Sequence, residues 1–124
     1  MVLSPNDSLA QGIAEALASN GYTPGADYPI VTGQDADKAS VINILADKQS
    51  MTVWKDTRKL GEQVFAMIES LKAGDEPEVN DTETYDNGEK VVPSFLLQPE
   101  VVVKDDVQTK LIDSGFLTAG DVGL

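Results

Sequence analysis

Apolar positions along the first half of the chain switch between helical and strand periods. Leu9, Ile13, Ala16 and Leu17 recur at helical spacing and predict a helix over residues 8–20. Asn6 or Asp7 would cap its free amide groups, and Asn20-Gly21 would end it. A turn over residues 23–27 leads to a short apolar strand at 29–32. Gly33 would bend the chain, and Asp35 or Asp37 would cap a second helix over about residues 37–47. Val41, Ile42, Ile44 and Leu45 would be its buried side. A strand over 50–54 follows, in which Met51, Thr52 and Val53 suit cover on both faces. The helix predicted over 57–73 carries an apolar stripe of Leu60, Val64, Phe65, Ile68 and Leu71. Asp56 or Thr57 would start it and Gly74 would stop it. Met1-Val2-Leu3 reads as the stub of an earlier strand, followed by the turn Pro5-Asn6-Asp7. The order βαβαβα predicts an α/β fold, three-layered, with a mostly parallel sheet and right-handed crossovers.

The remainder changes character. Residues 75–88 are acidic and rich in turn formers. Residues 82–85 and 90–92 would be the arms of a hairpin, with Asp86-Asn87-Gly88 as its type I′ turn. Residues 94–97 read as a buried strand and Val101-Val102-Val103 as another, set apart by Pro99. Asp105 or Asp106 would cap a short helix over 107–114, ended by Gly115. The tail at 118–121 is expected to fray.

Composition narrows the chemistry. The 124 residues suffice for one core, and 41% hydrophobic content is ordinary for a globular chain. A net charge of −12 opposes nucleic acid and anionic membrane as partners, since both require a basic surface. The chain contains no cysteine and no histidine. That removes disulfides, thiolate sites and the commonest general base and transition-metal ligand. No cofactor or metal is expected, and no enzymatic activity. No apolar run is long enough to span a bilayer, and residues 1–5 show no signal-peptide pattern.

In a parallel α/β sheet, ligands bind beyond the carboxyl ends of the strands. Three polar groups stand at such ends: Asn6, Asp35 and Lys55. Asp35 accepts two hydrogen bonds, Lys55 donates, and Asn6 does both. A polyol requires that mixture, because every hydroxyl both donates and accepts. Each residue also has a plainer reading. Asn6 can cap the first helix, Asp35 can cap the second, and Lys55 can be a solvated lysine. Trp54 could stack on a sugar face, but its place at the end of a buried strand suits the core better. Asp37 reads as a cap.

Other constellations fail on detail. Asp7 and Asp35 could form a carboxylate pair, as in a response-regulator receiver. Such a domain needs its phospho-acceptor aspartate after the third strand, where this chain has Trp54-Lys55. Gly-rich phosphate loops are missing, and the acidic run 75–83 lacks the spacing of a calcium loop.

Four blocks carry a resemblance: Pro5 to Ala10, Val31 to Asp37, Gln49 to Lys55 and Val92 to Pro99. In that order they resemble the C-terminal part of a periplasmic sugar-binding protein of an ABC importer. The nearest branch is the xylose and multiple-sugar group of the type I solute-binding family. The resemblance implies half of a two-lobed α/β fold that closes on a monosaccharide. It also implies sugar-binding roles for Asn6, Asp35 and Lys55. Residues 1–55 would be part of the C-terminal lobe, and 56–103 would cross back to the N-terminal lobe. Residues 104–124 would be a terminal helix and tail. Periplasmic or extracellular location and delivery to a membrane permease, through the full-length protein, follow from the same resemblance.

A family member is well over twice as long, so this chain is expected to be a fragment. The apolar stripe of residues 60–71 would then lose its partner sheet. It is expected to fold back onto the chain's own sheet or to pair with a second copy, as a homodimer or swapped oligomer. Two competing readings remain: the effector-binding core of a lactose-repressor-type regulator, and a fragment with no binding activity of its own.

Overall fold

The computed structural model describes residues 1–25 and 27–124. Ala26, inside the predicted 23–27 turn, lies outside the described residues. The chain divides into two compact units. The first combines Met1–Lys55 with Pro99–Leu124, and the second is Asp56–Gln98.

The first unit is of the α/β class. Helix α1 spans Asp7–Ser19 and α2 spans Lys38–Leu45. Strand β1, Thr52–Trp54, pairs antiparallel with β2, Glu100–Val102, with Val53 opposite Val101. Two parallel bridges extend the sheet, Val2 to Val31 and Gln34 to Val53. Among the described residues of this unit two of the three pairings are therefore parallel, although only β1 and β2 form a regular ladder. The parallel part is sustained by single bonds, such as Val2 N–H to Ile30 O (2.7 Å) and Ser50 N–H to Val31 O (2.9 Å). Pro29 cannot donate to a ladder, and Ser50 spends its hydroxyl on the Val31 N–H at 3.1 Å.

The core gathers Ala36, Val41, Ile44, Trp54, Val102 and Leu111, with further support from Leu117 and Val122. Two helix faces differ from expectation. On α1 the buried apolar residues are Ala10 and Ala14, while Leu9 is exposed. Small residues there let α2 approach: Gln11 Nε2 reaches Ser40 Oγ at 3.4 Å, and Ser40 Oγ donates to Asp7 O at 3.3 Å. On α2, Val41 and Ile44 are buried, but Ile42 is exposed.

The C-terminal segment is better ordered than its sequence suggests. A 3-10 turn at Lys104–Asp106 runs into a π-helical turn at Val107–Ile112, in place of the predicted α-helix. The tail does not fray. Residues Ala119–Val122 form a short helix with Thr118 as its cap, and Val122 is buried. Thr118 Oγ1 accepts the Asp121 N–H, while Asp121 Oδ2 accepts the Thr118 N–H at 2.9 Å.

The second unit carries helix α3, Thr57–Ala73. Asp56 caps it by accepting the Arg58 N–H at 3.1 Å, and Gly74 ends it at φ +83°. No residue of α3 is buried, and Phe65 is 65% exposed.

The predicted hairpin is only partly formed, with antiparallel bridges at Asp86–Val91 and Asp81–Ser94. Its turn is not the predicted type I′ turn, since Gly88 takes a positive φ of 88° but Asn87 does not. Asn87 N–H donates to Lys90 O, and Asn87 Oδ1 accepts the Glu89 and Lys90 N–H groups. Asp81 likewise accepts the N–H groups of Glu83 and Thr84, which removes residues 82–85 from any strand. Residues 94–97 form no buried strand, and Leu96 and Leu97 are exposed.

Candidate functional site

Three loops converge at one edge of the first unit. The Asp7 N–H donates to Gln34 O at 2.9 Å, which ties the start of α1 to the loop after residue 33. The Asp35 N–H donates to Val53 O at 2.9 Å, which ties that loop to β1. Lys55, just past β1, places its Nζ 3.2 Å from Asp35 Oδ1. The two side chains are 52% and 45% exposed, so the pair is solvated and contributes little to stability, about 0–1 kcal/mol.

Asp35 and Ala36 both take positive φ values, 106° and 56°. Such conformations cost a non-glycine residue on the order of 1–3 kcal/mol each and persist only when their surroundings over-determine them. Here three successive N–H groups are tied down. Asp35 donates to Val53 O, Ala36 to Thr52 Oγ1 at 3.2 Å, and Asp37 to Asp7 Oδ2 at 2.9 Å.

Asp7 is the anchor of this arrangement. It is fully buried. Its Oδ1 accepts Gln49 Nε2 at 2.9 Å, and Thr52 Oγ1 lies 3.0 and 3.1 Å from its two oxygens. Burial pushes its carboxyl above the usual carboxylate range, against the lowering influence of the Asp37 N–H, Gln49 and Thr52. Gly33 makes room for this cluster. Its φ lies outside the left-handed region, but a Cβ there would collide with Asp7 Oδ1 and Gln49 Nε2. Close approach, rather than turn geometry, requires glycine.

The residues expected from sequence are distributed as follows. Asp35 and Lys55 are paired. Asn6 caps α1, its Oδ1 accepting the Leu9 N–H at 2.9 Å. That cap leaves its side-chain amide donors available. Asp35 does not cap α2. Asp37 occupies the cap position without a side-chain cap bond. Trp54 is core, its ring centroid 5.2 Å from that of Phe116. Asp7 is turned inward, so it does not form a carboxylate pair with Asp35. Gln49 and Thr52 escaped notice as partners. A polar Thr52 in an otherwise apolar strand was the available signal. Among the described residues no acidic cluster could hold a metal ion, and no helix is long and apolar enough to cross a membrane.

Residues 1–76 match the family described as periplasmic binding protein domain. The chain belongs to this family. This periplasmic binding protein domain is 48% identical over 119 residues to the multiple sugar-binding periplasmic receptor ChvE of Rhizobium radiobacter, covering 95% of the chain and 34% of that relative. It is 36% identical over 115 residues to the D-xylose-binding periplasmic protein of Escherichia coli, covering 93% and 33%. Among solved structures it resembles an ABC transporter solute binding protein from Clostridium phytofermentans with bound β-D-glucose. The TM-score there is 0.84 at 45% identity, over 94% of this chain and 35% of the other. The chain thus spans about a third of the length of these relatives.

Proposed function

We propose that this chain forms one wall of a monosaccharide-binding cleft in the substrate-binding protein of an ABC importer. Asp35 accepts hydrogen bonds from neighbouring sugar hydroxyls, Lys55 donates to them, and the free amide donors of Asn6 complete the set. The observation that carries this reading is the Asp35–Lys55 pair. It sets an acceptor and a donor 3.2 Å apart, both half exposed, at the strand ends where α/β sheets take ligands. Glucose and xylose are the leading candidates, because relatives and a solved neighbour carry those sugars in their names.

The role is capture without chemical change. The full-length protein would deliver the sugar to a membrane permease from the periplasm or an extracellular position. Residues 1–55 and 99–124, which form the first unit, belong to one lobe, and 56–98 to the segment crossing toward the other. The exposed apolar face of α3 supports pairing of two copies as a homodimer or swapped oligomer.

Calorimetric titration with xylose, glucose, galactose and arabinose tests the reading. Heat with glucose or xylose, lost in Asp35→Ala and in Lys55→Ala, is the expected result. Absence of heat with every sugar would sink binding by this chain. Unchanged affinity in both variants would sink the assignment of the residues.

A further inference from the structure

We propose that Asp7 is the positioning residue of this site: with Thr52 and Gln49, its buried carboxylate locks the left-handed turn at Asp35 and Ala36. It thereby fixes where the Asp35 carboxylate stands. The consequence for sugar rests on the function proposed above. The geometric claim does not.

The hydrogen bonds have a fixed direction. Thr52 Oγ1 accepts the Ala36 N–H, so its single hydrogen is free to donate, and the Asp7 oxygens stand at 3.0 and 3.1 Å to receive it. Gln49 Nε2 donates to Asp7 Oδ1 at 2.9 Å and to Met51 O at 3.1 Å, which uses both its hydrogens and sets the amide's orientation. The Asp37 N–H ends on Asp7 Oδ2. Donors from the loop, from β1 and from Gln49, three residues ahead of β1, therefore all end on one carboxylate.

Asp7 has no competing task on α1, because Asn6 caps that helix. Gly33 lacks the atom that would push the carboxylate away. Asp35, in turn, sits between anchored neighbours: its own N–H is held by Val53 O, and the next two N–H groups are held by Thr52 and Asp7. If the two following bonds are lost, the turn is no longer over-determined and its positive φ values relax.

Amide hydrogen exchange, followed residue by residue, tests the proposal. Thr52→Val keeps the shape and removes the hydroxyl, whereas Thr52→Ser keeps the hydroxyl. Thr52→Val is expected to speed exchange at Ala36 and Asp37 about tenfold relative to Ala46, the C-cap of α2, the scale of one net hydrogen bond. Thr52→Ser is expected to restore the wild-type pattern. Asp7→Asn is expected to loosen Asp37 in the same way. Should that variant fail to fold, the Thr52 pair still decides.

Unchanged exchange at Ala36 and Asp37 in Thr52→Val overturns the proposal. So does an increase shared equally by Ala46, which would mark a merely structural role. Glucose titration separates this claim from the sugar reading. If Asp35→Ala abolishes binding while Thr52→Val leaves it intact, positioning is wrong and the sugar site stands. If Asp35→Ala leaves binding intact, the sugar site falls and the exchange data alone judge Asp7.

Discussion

Lys38 Nζ and Asp121 Oδ1 lie 2.6 Å apart although 83 positions separate them in the chain. This contact joins the start of α2 to the C-terminal helix. Lys38, helped by the Thr118 N–H and hydroxyl, lowers the Asp121 carboxyl to about 2. An unfolded aspartate titrates near 3.9. Asp121 therefore contributes stability that is present above about pH 4 and is lost as pH falls toward 2. Asp7 runs the other way. Its folded carboxyl is raised, so its contribution is full below the unfolded value and declines as pH rises through the folded one. Lys38→Met is expected to flatten the acid limb between about pH 4 and 2, as read by thermal melting at a series of pH values. High salt should shrink the difference, because the pair is exposed.

Gly33→Ala should destabilise the chain by about 1–3 kcal/mol, the usual cost of overpacking a well-filled site. The new methyl meets Asp7 and Gln49, both buried. A lower urea midpoint with an unchanged slope is the expected reading. Equal midpoints would show that the cluster can shift aside.

Asp35→Gly should act in the opposite direction on stability. Glycine adopts a φ of 106° without a steric penalty, and the Asp35–Lys55 pair that is lost is exposed. A gain of up to about 1 kcal/mol is expected in denaturant melts. The proposed sugar binding should disappear in the same variant. Stability and ligand capture would then pull against each other at one residue.

Leu111→Ala and Leu71→Ala make a controlled comparison. Leu111 is fully buried, and its loss should cost about 2–5 kcal/mol. Leu71 is exposed on α3, and its loss should change stability by no more than about 0.5 kcal/mol. Light scattering on the charged variant Phe65→Lys should report a lower apparent mass than wild type at high concentration. Equal masses would argue against self-association through α3.

Local chemistry was the legible part of this sequence. Helix α3 starts and stops where expected because Asp56 and Gly74 act within one turn of its ends. The proximity of Asp35 and Lys55 was readable from strand ends, each punctuated by a polar residue. What escaped depends on distance along the chain. Asp7 meets Gln49 and Thr52 across 42 and 45 positions, so its neighbours identify it only as a helix-start residue. The tail from Thr118 to Val122 looked free because its anchor, Lys38, belongs to another part of the chain. The Asp81 and Asn87 side chains captured backbone N–H groups that a hairpin would have needed, and propensity alone does not weigh that competition.

The first unit is assembled from two separated stretches, Met1–Lys55 and Pro99–Leu124, and β1 and β2 are the seam between them. Trp54 pairs with Glu100, so the chain leaves this unit and returns to it at neighbouring points. Everything from Asp56 to Gln98 is, topologically, an insertion into a closed circuit. Closure entropy rises only by about 0.6 kcal/mol for each doubling of loop length, so the circuit is nearly indifferent to how long the excursion is. A short flexible linker grafted between Lys55 and Pro99 should therefore yield a smaller protein that keeps the Asp35–Lys55 edge without the apolar helix α3.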